Sequence, residues 1–152
     1  MAPGGTGGAQ EGPTRIVIPS DPLAVRAALR TLFDTLLLRT MPEDDRSTAQ
    51  IVLAEALNNI VEHAYANSHG EIEVTLSLQP TGLDCRIVDF GHPMPGGHPP
   101  DGSLPPIGPE DTLPEGGFGW HLIRSLSRDL NYDRVDGCNR LSFRLDTGRS
   151  GA

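Results

Sequence analysis

The chain has 152 residues, enough for one domain with its own core and no need of disulfide staples. Its formal charge of −8 argues against non-specific binding to nucleic acid or to acidic membranes, and no apolar run reaches the length of a bilayer-spanning helix. All 12 Lys+Arg positions are arginine, which excludes a Walker-type Gly-Lys phosphate loop, the lysine-dependent protein kinase fold and Schiff-base chemistry. Any phosphate must therefore be held by backbone N–H groups, a helix N-terminus or a divalent metal. There is no charged-then-apolar leader, and Cys85 and Cys138 stand at no metal or redox spacing. These features predict a soluble cytoplasmic domain with two buried, reduced thiols.

Residues 1–13, rich in Gly and Ala, predict a disordered tail; 14–146 form the domain, and 147–152 read as a second tail. The β-branched run in 14–19 predicts a strand. Asp21 as cap and Pro22 at the first position start a helix, continued by Val25, Leu29, Leu32, Phe33 and Leu36 to about Thr40. Pro42 with Glu43, Asp44 and Asp45 opens a second helix, whose acids suit the positive end of its dipole. It is expected to reach about Asn67 and to bury some combination of Ile51, Leu53, Leu57, Ile60, Val61 and Ala64.

Residues 71–78 alternate Ile72, Val74, Leu76 and Leu78 with polar neighbours, and 83–90 return after a Pro80-Thr-Gly82 turn. From 91 to 115 the texture turns to Gly, Pro and His without periodicity, as in a lid or binding loop. A third helix is expected over 117–130, then strands over 130–135 and 139–145 around an Asp-Gly turn. The order β-α-α-β-β-lid-α-β-β predicts an α/β, two-layer fold: helices covering a mixed, mainly antiparallel sheet.

Three segments carry chemistry. In Glu55-Ala-Leu-Asn-Asn59 with His63, the residues Glu55, Asn59 and His63 stand at i, i+4 and i+8 on one helical stripe. An amide oxygen is a hard donor for Mg²⁺ and a carboxylate one turn away can accept a proton; for such a pair alone a solvated helix face is the better reading, and the other two segments raise the stripe above it. In Asp89-Phe-Gly91 an acid ends an apolar strand and wants a donor. The exocyclic amine of adenine is one donor, with Gly91 allowing close approach; a turn in which Asp89 caps a backbone N–H is the alternative. Gly116-Gly-Phe-Gly119 opens a helix, either as an anion site or as a plain loop hinge.

In this order the segments resemble the N, G1 and G2 boxes of the GHKL ATPase superfamily, shared by gyrase, MutL and the sensor histidine kinases. The sequence is most similar to the small bacterial anti-sigma factor/serine kinase family of partner-switching systems, over residues 16–145. The N box corresponds to Glu55-Ala-Leu-Asn-Asn-Ile-Val-Glu-His-Ala-Tyr65, and the G2 box to Gly116-Gly-Phe-Gly-Trp-His-Leu-Ile123.

The resemblance implies a Bergerat-type sandwich binding Mg-ATP. Glu55 would be the general base and Asn59 the Mg²⁺ ligand, and Asp89 would hold adenine. His63, Gly91, Gly116, Gly117, Phe118 and Gly119 would complete the nucleotide site. It further implies an anti-sigma factor that phosphorylates a serine of an anti-anti-sigma (STAS-like) partner, with a sigma factor as a second target. A homodimer without direct contact to nucleic acid or membrane is expected. The alternative is a non-catalytic module whose nucleotide sets the shape of a docking surface.

One departure favours that alternative: residues 87–123 contain no Arg or Lys to neutralise a γ-phosphate, and Arg140 beside Gly137 is the candidate substitute. Arg26 and Arg30, one turn apart, read as a solvated face or a partner contact. A metal site at His63 and His69 is the weaker reading of those histidines.

Overall fold

The computed structural model describes residues 13–100 and 118–147. Five strands form one sheet: β1 (Thr14–Pro19), β2 (Glu71–Gln79), β3 (Gly82–Asp89), β4 (Arg128–Val135) and β5 (Cys138–Asp146). Their spatial order is β1-β2-β3-β5-β4, and every neighbouring pair is antiparallel, so the mainly antiparallel character expected is complete here. Alternation decides the two faces. Ile72, Val74, Leu76, Leu83, Cys85, Ile87, Leu141, Phe143 and Leu145 are buried on one face, while Arg86, Arg140 and Asp84 stand exposed on the other.

The helices cover the buried face. In α1 (Pro22–Phe33), Asp21 caps the first turn by accepting from Ala24 N at 2.9 Å, and Val25, Leu29 and Leu32 point inward. The helix expected to run on to Thr40 breaks at Asp34. The Thr35 hydroxyl donates to Leu32 O (2.7 Å) and caps a separate short helix, α2 (Leu36–Arg39). A threonine hydroxyl competing for helix backbone groups is a sufficient cause.

Helix α3 (Glu43–Asn59) buries Ala49, Val52, Leu53, Ala56 and Leu57 and packs between α1 and α4 (Phe118–Leu126). Of the positions expected to be buried, Leu53, Leu57 and Ile60 are, but Ile51 is 45% exposed and Val61 and Ala64 are half-buried. The α-helix also stops short of Asn67. Residues Ile60–Ala64 widen into a single π turn, with Tyr65 N donating to Ile60 O at 3.0 Å. Such turns are frequent at functional sites.

Helix α4 ends at Leu126, and β4 starts two residues before the expected Leu130. The Ser127 hydroxyl turns back onto Ile123 O (2.5 Å) and closes the helix. The β4–β5 hairpin turns through Asp136 (φ 54°) and Gly137 (φ 80°), the left-handed pair that a two-residue hairpin turn requires. Cys138 lies just after it and is half-buried, whereas Cys85 is buried as expected. No helix among the described residues is long and apolar enough to cross a membrane.

Candidate functional site

A cavity of about 480 Å³ opens between the π turn, the ends of β3 and β5, and α4. That is the size class of a small-molecule site. Its walls are apolar at Ile60, Met94, Trp120 and Leu141 and polar at Asn59, Asp89 and Asn139, with His63 and His92 also lining it. Residues predicted from two separate sequence segments, Asn59 and His63 on one side and Asp89 on the other, therefore meet across one space.

Asp89 is only 3% exposed, on the inward face of β3. Its Oδ1 accepts from Gly91 N (2.9 Å) and from Asn139 Nδ2 (2.7 Å), so the turn-capping bond is present and Asp89 also lines the cavity. Burial pushes its carboxyl above the usual carboxylate range, while the bonds from Asn139 and Gly91 and the charge of Arg134 act against that rise. Asn139, paired with Asp89 across the β3–β5 ladder, is itself buried. Its Oδ1 accepts from Tyr132 Oη (2.5 Å) and Arg134 NH1 (2.9 Å), and its Nδ2 also donates to His92 O (2.8 Å). Arg134 NH1 reaches Gly91 O as well, at 2.7 Å.

The turn after α3 supports the same strand end. The Tyr65 hydroxyl donates to Glu71 O (2.6 Å) and accepts from Phe90 N (2.8 Å), tying β2 to the residue after Asp89. Burial raises the Tyr65 pKa, keeping the phenol protonated as that donor role needs. Gly70 leaves room for the ring, since a Cβ there would stand 2.7 Å from Tyr65 Cζ. Gly91 lies so close to the π turn that a Cβ would land on Ala64 O, the carbonyl that accepts from His92 N at 2.7 Å.

On the α3 side, Glu55 and Asn59 face the first turn of α4. A Cβ on Gly119 would stand 2.7 Å from Glu55 Oε1 and 3.5 Å from Asn59 Nδ2. Asn59 Nδ2 is buried and has no partner among the described residues. Glu55 is not among the residues lining the 480 Å³ cavity; it lines a separate depression, of about 750 Å³, between α1 and α3, together with Arg26 and Arg30. Gly116, Gly117 and the Phe118 side chain lie outside the described residues. So does most of the expected lid, of which the segment up to Pro100 is described.

Arg140 is not at the cavity. It lies on the outer face of β5, its Nε and NH2 bound to both oxygens of Asp133 (2.8 and 3.0 Å). The inward arginine is Arg134 on β4, opposite Asn139 in the β4–β5 register. Among the described residues no group of His, Cys, Asp and Glu could hold a metal ion, and His63 stands beside Glu62 at 3.9 Å, so the His63/His69 site is not formed. Sequence reasoning missed Tyr132, Arg134 and Asn139. Their inward alternation opposite Asp89 was the available signal, and it needed the strand pairing to be known.

Comparison with known proteins adds to this geometry. The family profile of the histidine kinase-like ATPase domain matches residues 18–145. Serine-protein kinase RsbW of Bacillus mycoides is 31% identical over 100 residues, covering 62% of this chain and 60% of that protein. RsbW of Bacillus anthracis matches to the same extent, so the chain spans three-fifths of these curated relatives. A crystal structure of the RsbU and RsbW domains of Rv1364c from Mycobacterium tuberculosis superposes with a TM-score of 0.63 at 17% identity, over 92% of this chain and 34% of that one. That likeness is one of fold. With the profile match spanning most of its length, the chain belongs to the histidine kinase-like ATPase domain family.

Proposed function

We propose that the protein binds ATP in the 480 Å³ cavity and transfers its γ-phosphoryl group to a serine of an anti-anti-sigma (STAS-like) partner, acting as an anti-sigma factor. Residues 14–146 form the ATP-binding domain in this reading, and Asp89 accepts a hydrogen bond from the 6-amino group of adenine. The observation that carries it is the meeting of Glu55, Asn59 and Gly119, a carboxylate and an amide set against the first turn of a helix. In the transfer, the serine oxygen bonds to the γ-phosphorus, the bond to the β-phosphate oxygen breaks, ADP leaves, and Glu55 takes the hydroxyl proton. The resemblance to RsbW kinases supports the same chemistry.

The donors fit Mg²⁺ in part. Turning the Asn59 amide about its last torsion puts its oxygen where the unpartnered nitrogen stands, and one amide oxygen plus nucleotide phosphates is a usual Mg²⁺ set. The ion would supply charge neutralisation at the phosphates. The depression between α1 and α3 gives Glu55 an open side, walled by Arg26 and Arg30, from which a protein substrate can reach it. A sigma factor as second target, a homodimer, a cytoplasmic location and no direct contact with nucleic acid belong to the same reading.

The test is labelled phosphate transfer from Mg-ATP to the cognate partner. Glu55→Gln is expected to lower transfer by about 10² or more while calorimetry still registers ATP. Transfer at the wild-type rate would remove Glu55 from the mechanism. A second reading rests on one observation: among the described residues no Arg or Lys lines the cavity. It is a non-catalytic, nucleotide-dependent binding module, which would bind ATP without hydrolysis or transfer; one labelled turnover excludes it.

A further inference from the structure

Among the described residues, Asp89 commits only one oxygen to the protein. Both bonds, from Gly91 N and Asn139 Nδ2, end on Oδ1, while the residue lines the cavity. What turns the carboxylate that way is a buried amide with every hydrogen-bonding group engaged. Asn139 Nδ2 serves Asp89 and His92 O, and Oδ1 receives Tyr132 and Arg134. A guanidinium can only donate, so the amide oxygen must face Arg134 and the NH₂ must face Asp89. The same nitrogen of Arg134 holds Gly91 O at 2.7 Å, fixing the turn on the far side of the carboxylate.

We propose that Arg134 and Asn139 are the positioning pair of the base subsite: Arg134 sets the Asn139 amide and the Gly91 turn, and Asn139 turns Asp89 so that its free oxygen accepts the 6-amino group of a purine. This rests on the ATP reading above. Arg134 is exposed, so its place in the network owes nothing to core packing. Its charge and the Asn139 bond also favour the ionised, purely accepting form of the carboxylate, against the burial that disfavours it.

The experiment compares two ligands by calorimetry: Mg-ATP and the triphosphate of purine riboside, which differs only in lacking the 6-amino group. Wild-type protein is expected to prefer ATP about tenfold, the value of one hydrogen bond to a charged acceptor. In Arg134→Met the preference should shrink to about twofold or less, through loss of ATP affinity, with thermal unfolding unchanged. Arg134→Lys should restore it, because both contacts come from one nitrogen that an ammonium can replace. A purely structural role would weaken both ligands equally and leave the ratio intact, which would overturn the inference; so would a lysine variant no better than methionine. Wild-type protein that binds neither nucleotide would overturn the ATP reading itself before any variant is compared.

Discussion

A Cβ on Gly119 would stand 2.7 Å from Oε1 of Glu55, so the first turn of α4 and the carboxylate on α3 share a space that only glycine leaves open. The obstacle is the far end of a flexible side chain, and Glu55 can swing aside. Gly119→Ala should therefore fold, with stability within about 1 kcal/mol of wild type, helped by the better helix propensity of alanine. Its effect should fall on Glu55: phosphate transfer lower by about tenfold or more, ATP affinity changed much less. Transfer assays alongside thermal unfolding check this, and a variant that transfers normally would show that the Glu55 carboxylate need not occupy its observed position.

Gly91→Ala meets a different obstacle. The nearest atoms to its Cβ are the backbone carbonyl of Ala64, which closes the π turn onto His92 N. Backbone cannot rotate away as a glutamate can, so the Asp89–His92 segment must shift. A loss of about 1–3 kcal/mol is expected, in the range of overpacking substitutions, together with loss of nucleotide affinity. Denaturant midpoints for Gly91→Ala against Gly119→Ala would order the two, with Gly91→Ala clearly the less stable.

The contrast between these glycines explains what the sequence could and could not reveal. Both lie in linear segments whose residue types announce a role, as do Glu55, Asn59 and Asp89, and the strands alternate plainly enough to give the layered fold. The π turn was hidden because Ile60, Val61 and Ala64 continue the apolar texture of α3 whether the turn holds one residue more or fewer. Arg140 lies near Gly137 in the sequence, but strand parity puts it on the outer face beside Asp133. Arg134 reaches the site through two strand pairings, β4 with β5 and β5 with β3, and pairing register is not written in any one segment.

Asp89 makes folding and binding respond oppositely to pH. Burial raises its folded pKa above the unfolded value. Between the two values the folded protein keeps a proton that the unfolded chain has released, so stability falls as pH rises through that window and is level above it. At neutral pH the ionised group thus costs stability. Asp89→Asn keeps the shape and both bonds to Oδ1, and should be at least as stable as wild type at pH 7, the difference closing as pH drops into the ordinary carboxylate range. ATP affinity should run the other way, weakening in wild type as pH falls through the raised pKa and low at every pH in Asp89→Asn. Urea midpoints and calorimetry across pH 4–8, roughly the span from carboxylate titration to neutrality, test both halves. An Asp89→Asn protein markedly less stable at pH 7 would contradict the sign.

Tyr65→Phe isolates the support from the site it supports. The hydroxyl joins β2 to the strand end at Asp89 by donating to Glu71 O at 2.6 Å and accepting from Phe90 N at 2.8 Å. Phenylalanine keeps the ring over Gly70, so the packing is unchanged and only the two bonds go. Two backbone groups are left without their partner, and a cost of about 1–3 kcal/mol is expected if water does not reach them. Phe90 N is the neighbour of Asp89, and its release loosens the turn that Arg134 holds from the opposite side through Gly91 O. Amide exchange at Phe90 and Gly91 should therefore accelerate more than in the middle of β3, and ATP affinity should fall by a few-fold at most, because Asn139 still orients the carboxylate. Faster exchange spread evenly over β3 would mean that Tyr65 stabilises the sheet as a whole and not the end that carries Asp89.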